Sequence, residues 1–194
     1  MTKWFFPTIG FGELEGFSNP GLEMFKGEPL RAMAREIVQN SLDAIYEEDK
    51  PVYIEFDNKF ISPVTNFPGM ENMRVVIDKC REFWKEENED KTMKFISEAD
   101  KRLRSSGIFV LRVSDYNTTG LRGAFSNKTI TPWKSLVQGN AFSVKNSDSA
   151  GGSYGIGKAA PFVVSKLQTV FYRTYDVDGV RAAQGVTHLT SFRD

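Results

Sequence analysis

The sequence predicts a mixed α/β (α+β) domain, and three observations carry that expectation. Apolar residues recur at helical spacing over about 29–47 and again over 70–104. Two β-branched and aromatic runs, Val52–Phe56 and Ile108–Val113, read as strands instead. Near the C-terminus, Thr169–Tyr175 and Val180–Thr190 flank Asp178-Gly179, a strong hairpin turn pair.

Taken in order, residues 3–11 read as an edge strand or an arm, and 12–28 as a Gly-rich approach holding Asn19-Pro20-Gly21. Pro29 suits the first turn of a helix running to about 47. Its stripe of Leu30, Met33, Ile37, Ser41 and Ala44 suits a core. Residues 52–56 alternate as a strand does. In 70–104, Met73, Val76, Ile77, Cys80, Phe83 and Trp84 share a face, and Met93, Ile96, Ala99 and Leu103 resume it after a charged break at 86–91. That aromatic face is most simply core, and a partner-docking surface is the alternative. A buried strand follows at 108–114, a polar stretch at 120–150, and a helix from about 157 to 166.

Composition narrows the function classes. The 194 residues are enough for one domain with a sizeable core. With 25 basic and 25 acidic residues, nothing global points to nucleic acid or membrane. Cys80 is the one cysteine, so it forms no intrachain disulfide and reads as a buried structural thiol in a reducing, cytoplasmic setting. One cysteine and one histidine, His188, are too few for a zinc site or a Cys–His nucleophile pair. Residues 1–12, broken by Pro7 and Gly10, do not read as a signal peptide, and no run is long enough to span a bilayer.

Three segments carry chemistry. Glu36, Asn40 and Asp43 stand at i, i+4 and i+7, which places an acid, an amide and an acid on one helical face. Asp115 ends the buried strand and precedes turn formers, where α/β sheets tend to place ligand-contacting groups. Gly151-Gly152-Ser153-Tyr154-Gly155-Ile156-Gly157-Lys158 is dense enough in glycine for backbone N–H groups to approach an anion. Singly, each has a plain reading: a solvated helix face, an Asx-turn, a surface loop. Gly152–Lys158 also fits seven positions of a P-loop, but Ala159 replaces the metal-ligating hydroxyl and the polar run 145–150 is no buried strand.

In this order the three segments resemble the GHKL ATPase superfamily of gyrase-type topoisomerases, heat-shock chaperones, histidine kinases and MutL-type repair proteins. The likeness spans about residues 30–190. It implies the Bergerat fold, a two-layer sandwich with a mixed, mostly antiparallel sheet covered on one face by helices. Residues 62–106 would then be a helical insertion and 120–150 an ATP lid. Glu36 corresponds to the residue that primes the attacking water, and Asn40 to the Mg²⁺ ligand. By the same resemblance Asp43 would support the helix or the adenine pocket, and Asp115 would read adenine. Gly152, Gly155 and Gly157 would wrap the phosphates. Asn117 stands where the family's first glycine box has a glycine, and one residue is inserted before Gly120. Asn tolerates the left-handed conformation such a position needs. Lys158 is unusual at its position, and either adds a charge at the phosphates or caps the loop.

The resemblance implies ATP and Mg²⁺ as cofactors and hydrolysis as the activity, because Glu36 is present where histidine kinases usually lack the acid. It further implies ATP-dependent dimerisation and an effector region beyond residue 194. The alternatives are a module that senses ATP without turning it over, and a histidine or protein kinase of the same fold.

Overall fold

Tertiary hydrogen bonds, more than local propensity, decide where the elements of this chain begin and end. A computed structural model describes residues 4–6, 16–17, 27–87, 89–139 and 157–193. Among these the elements are α1 (Pro29–Leu42), β1 (Tyr53–Ile61), α2 (Met70–Trp84), α3 (Asp90–Leu103), β2 (Ile108–Tyr116), α4 (Ala160–Val164), β3 (Thr169–Tyr175) and β4 (Arg181–Thr187). The mixed α and β composition is as expected. β1 pairs with β2 and β3 with β4, giving two small antiparallel ladders. Tyr53 meets Tyr116 and Phe60 meets Phe109 across the first, with ring centroids 5.7 and 5.0 Å apart. In the second, Thr169 faces Thr187 and Tyr175 faces Arg181, and the Asp176 carboxylate closes the turn by accepting from the N–H groups of Asp178 and Val180 at 3.0 and 2.9 Å.

The described residues divide into two compact units. The first holds 4–6, 16–17, 56–87, 89–112 and 189–193, with α2 and α3 at its centre. The helical periodicity is borne out for Met73, Val76, Ile77, Cys80 and Trp84 of α2 and Ile96, Ala99 and Leu103 of α3, which are buried; Phe83 and Met93 are only half-buried, and Phe95, outside the expected set, is buried too. The helices break where the charges cluster, and Glu89 caps α3 by accepting the Thr92 N–H at 2.7 Å. Arg81 and Arg104 join the two helices by pairing with Asp78 and Asp100. The aromatic face is core, covered by segments distant in sequence. Phe17 stacks on Phe95 at 4.3 Å, the Trp4 indole donates to the Gly69 carbonyl at 3.0 Å, and the Trp84 indole donates to the Ser191 carbonyl at 2.8 Å. Cys80 is buried beneath the Thr190 carbonyl, and burial pushes its thiol pKa up, as an inert structural cysteine requires.

The second unit holds 27–55, 113–139 and 157–188. α1 packs against α4 and the 3₁₀ turn Gly157–Ala159. Met33 and Ser41 are buried on this face, with Ile37 and Ala44 partly covered; Leu30, in the first turn, is 61% exposed and takes no part in the core. α1 also stops at Leu42, five residues short of the expected end. Beyond it, Thr119 N–H donates to the Ala44 carbonyl at 2.7 Å, Tyr46 N–H donates to the Asn117 carbonyl at 3.1 Å, and Ile45 bridges Thr118. The chain leaves the helix to pair with the segment after β2. The expected helix over 157–166 is the 3₁₀ turn followed by the short α4, ending before Ser165. No helix among the described residues is long and apolar enough to cross a membrane.

Candidate functional site

α1 supplies Glu36 and Asn40 one turn apart, and the Asn40 amide donates to the Glu36 carboxylate in a long hydrogen bond of 3.4 Å. Glu36 is partly covered and Asn40 exposed. Asp43 is the C-cap of α1, its backbone N–H donating to the Gln39 carbonyl at 2.9 Å. It continues the stripe without belonging to the helix proper.

Gly157 comes up against this stripe. It is buried, and an ideal Cβ built on it would fall on the Glu36 carboxyl carbon and both its oxygens. Glu36 and Gly157, far apart in sequence, are thus in close contact.

Lys158 turns elsewhere. Its ammonium donates to the Gly139 carbonyl and, at 3.5 Å, to the Ser135 carbonyl. Both acceptors belong to the π-helical turn Lys134–Gln138 and its cap. Partial burial holds the Lys158 pKa below its ordinary value. Lys158 thus ties the 3₁₀ turn to the π-helical turn 134–138 and its cap. Within the expected lid, Trp133 and Val137 are buried while Phe125 is 78% exposed. Gly152, Gly155 and residues 140–150 lie outside the described residues.

Asp115 sits one residue from the end of β2, exposed, and its carboxylate accepts from the Thr118 hydroxyl at 2.8 Å. Asn117 has φ +59°, the left-handed conformation expected where a glycine is usual. Its side chain is fully used. Oδ1 accepts from Glu47 N–H at 3.1 Å, and Nδ2 donates to the carbonyls of Glu47 and Lys50 at 3.0 and 2.8 Å. Asn117 therefore binds the chain after α1, leaving only its backbone for a ligand. Gly120 has φ +67°, and a Cβ there would lie 2.9 Å from Asp176 Cα. The Leu121 N–H donates to the Thr174 hydroxyl at 2.9 Å, and the Val177 N–H donates to the Thr119 carbonyl at 3.1 Å. Residues 117–121 are thus stitched to the end of α1 on one side and to the β3–β4 hairpin on the other.

An open groove of about 650 Å³ runs along another face of α1, lined by Arg31, Ala34, Arg35, Val38, Gln39, Leu42 and Asp43. Of the polar stripe only Asp43 borders it. One helix supplies every wall, which cannot enclose a ligand as binding sites do. The convergence of α1, the 117–121 segment and Gly157 marks the candidate site better. Among the described residues no group of three or more His, Cys, Asp or Glu is placed to hold a metal ion.

Sequence reasoning missed Thr118, Thr119 and the Ser135 and Gly139 carbonyls. The first could have been found, since a threonine three residues after an aspartate in a turn commonly bonds its carboxylate. The carbonyls carry no sequence signal. No protein-family model, curated protein or solved structure matches the chain.

Proposed function

We propose that the chain is a Mg²⁺-dependent ATP-binding and ATP-hydrolysing domain of the GHKL type, with its second unit forming the core of a Bergerat sandwich. The observation that carries this reading is the contact of the Glu36 carboxylate with Gly157 in the unit that also holds Asp115. Glu36, Asp115 and Gly157, from three segments that are each weak evidence alone, fall in one compact unit, and Glu36 meets Gly157.

The residues suit the ligand chemically. The Asp115 carboxylate is exposed and acceptor-only, so it takes a hydrogen bond from the exocyclic amine of adenine and rejects the carbonyl of guanine. Thr118 fixes one of its oxygens. The Asn40 amide nitrogen is engaged by Glu36, which leaves its oxygen as a hard ligand for a cation that otherwise keeps waters and phosphate oxygens. When bound, Mg²⁺ supplies charge neutralisation for the triphosphate. Gly157 has no side chain of its own, so its backbone N–H is the group it offers a phosphate, beside the Glu36 carboxylate. Glu36, partly covered and held by Asn40, accepts a proton from the attacking water. Asp43, at the helix end, shapes the pocket edge and moves no proton. The same reading makes the domain cytoplasmic and its nucleotide state the driver of lid closure and dimerisation.

Glu36→Ala tests the assignment. Turnover should fall by roughly 100-fold or more, the usual range for a lost general base, while affinity for ATP stays within about threefold. Equal loss of both in a folded variant refutes Glu36 as the base.

A further inference from the structure

Resting on the reading of Glu36 as the base, we infer that Gly157 is a positioning residue, whose missing side chain is the seat of the Glu36 carboxylate. Two explanations of a glycine here compete, and the backbone decides between them. Glycine is demanded where φ is positive, but the described glycines with positive φ are Gly69, Gly120, Gly123 and Gly179, and Gly157 is not one of them. The 3₁₀ turn Gly157–Ala159 has a backbone any L-residue can adopt. In such a turn glycine is the worse choice, since it loses more conformational freedom on folding than alanine does. What an alanine would meet is the Glu36 carboxylate: its Cβ would overlap that flexible end, which would have to move aside.

The seat also explains how the carboxylate is oriented. On its own helix Glu36 is held by one long hydrogen bond from Asn40, which alone fixes a partly covered carboxylate poorly. The bare Gly157 backbone lets the carboxylate occupy the space a side chain would take. A base displaced by as little as 1 Å can lose about 100-fold in rate. Gly157 thus acts on the reaction through Glu36, in addition to whatever its N–H gives a phosphate.

The test is a double-mutant cycle of Gly157→Ala and Glu36→Ala, read by thermal unfolding, by affinity for a non-hydrolysable ATP analogue and by turnover. In the wild-type background Gly157→Ala should push the carboxylate aside and cut kcat by roughly 100-fold, with analogue affinity held within about threefold. In the Glu36→Ala background, where the methyl has room, the same substitution should raise Tm by about 1–4 °C, more than it does in wild type. An equal Tm change in both backgrounds overturns the seat. Unchanged kcat in Gly157→Ala overturns the positioning role. A wild type that binds the analogue but never hydrolyses ATP, with the Tm difference between backgrounds intact, supports the seat and refutes the hydrolytic reading on its own.

Discussion

Asn117→Ala should destabilise the second unit by about 2–3 kcal/mol, which makes it the sharpest test of how the segment after β2 is held. The side chain makes three hydrogen bonds of 2.8–3.1 Å to the backbone of Glu47 and Lys50. At about 1 kcal/mol each they would sum to roughly 3, but the residue is only partly covered, and water recovers some of that on truncation. Alanine must also hold φ +59°, which costs an L-residue lacking the short polar side chain about 1 kcal/mol. Asn117→Gly removes the hydrogen bonds but not the backbone freedom, so it should be milder than alanine by about that 1 kcal/mol. Calorimetric unfolding should show a fall of roughly 5–10 °C for alanine and less for glycine. Amide exchange of residues 46–50 should quicken in both. Alanine within about 0.5 kcal/mol of wild type, a shift typical of featureless surface sites, would refute the anchoring role.

Two further perturbations concern charge. Burial depresses the Lys158 pKa, so charging it costs stability below its folded pKa, and that cost is relieved as pH rises toward the ordinary 10.5. Lys158→Met removes the bonds to the Ser135 and Gly139 carbonyls and should speed amide exchange in 134–139 at neutral pH. Relief of the charging cost should let wild type gain on the variant as pH approaches 10.5, and a stability difference flat across that window would contradict the pKa shift. The Thr92 hydrogen bonds at the start of α3 lower the Glu89 pKa, so its contribution is whole above 4.5 and is lost as pH falls through the folded value. The Tm gap between wild type and Glu89→Ala should close on acidification, and a gap independent of pH would argue against the cap.

What the sequence made legible is what local periodicity and turn chemistry encode. Met73, Ile77 and Cys80 on one helix and Ile96, Ala99 and Leu103 on the next recur at core spacing and are buried. Asp178-Gly179 marked the hairpin because Gly179 takes φ +78° there. The end of α1 was not legible: helix formers continue past Leu42, and hydrogen bonds from Thr119 and to Asn117, more than 70 residues on, draw the chain out. β1 outran its expected end because Asp57, Asn58 and Lys59 weaken the alternation, while Asp57 is held across the ladder by Arg112 at 2.9 Å. At the site, residue types were readable and partners were not. Nothing near Lys158 announces the carbonyls of Ser135 and Gly139, and nothing near Asn117 announces Glu47.

The central claim is that Asp115 belongs to an adenine nucleotide site. Calorimetric titration of the protein with a non-hydrolysable ATP analogue and Mg²⁺, beside Asp115→Ala, tests it most directly. Saturable binding to wild type, weakened by roughly tenfold or more in a folded variant through loss of a charge-assisted hydrogen bond, is the predicted result. Equal affinity of the two proteins, or no binding by folded wild type, would contradict it.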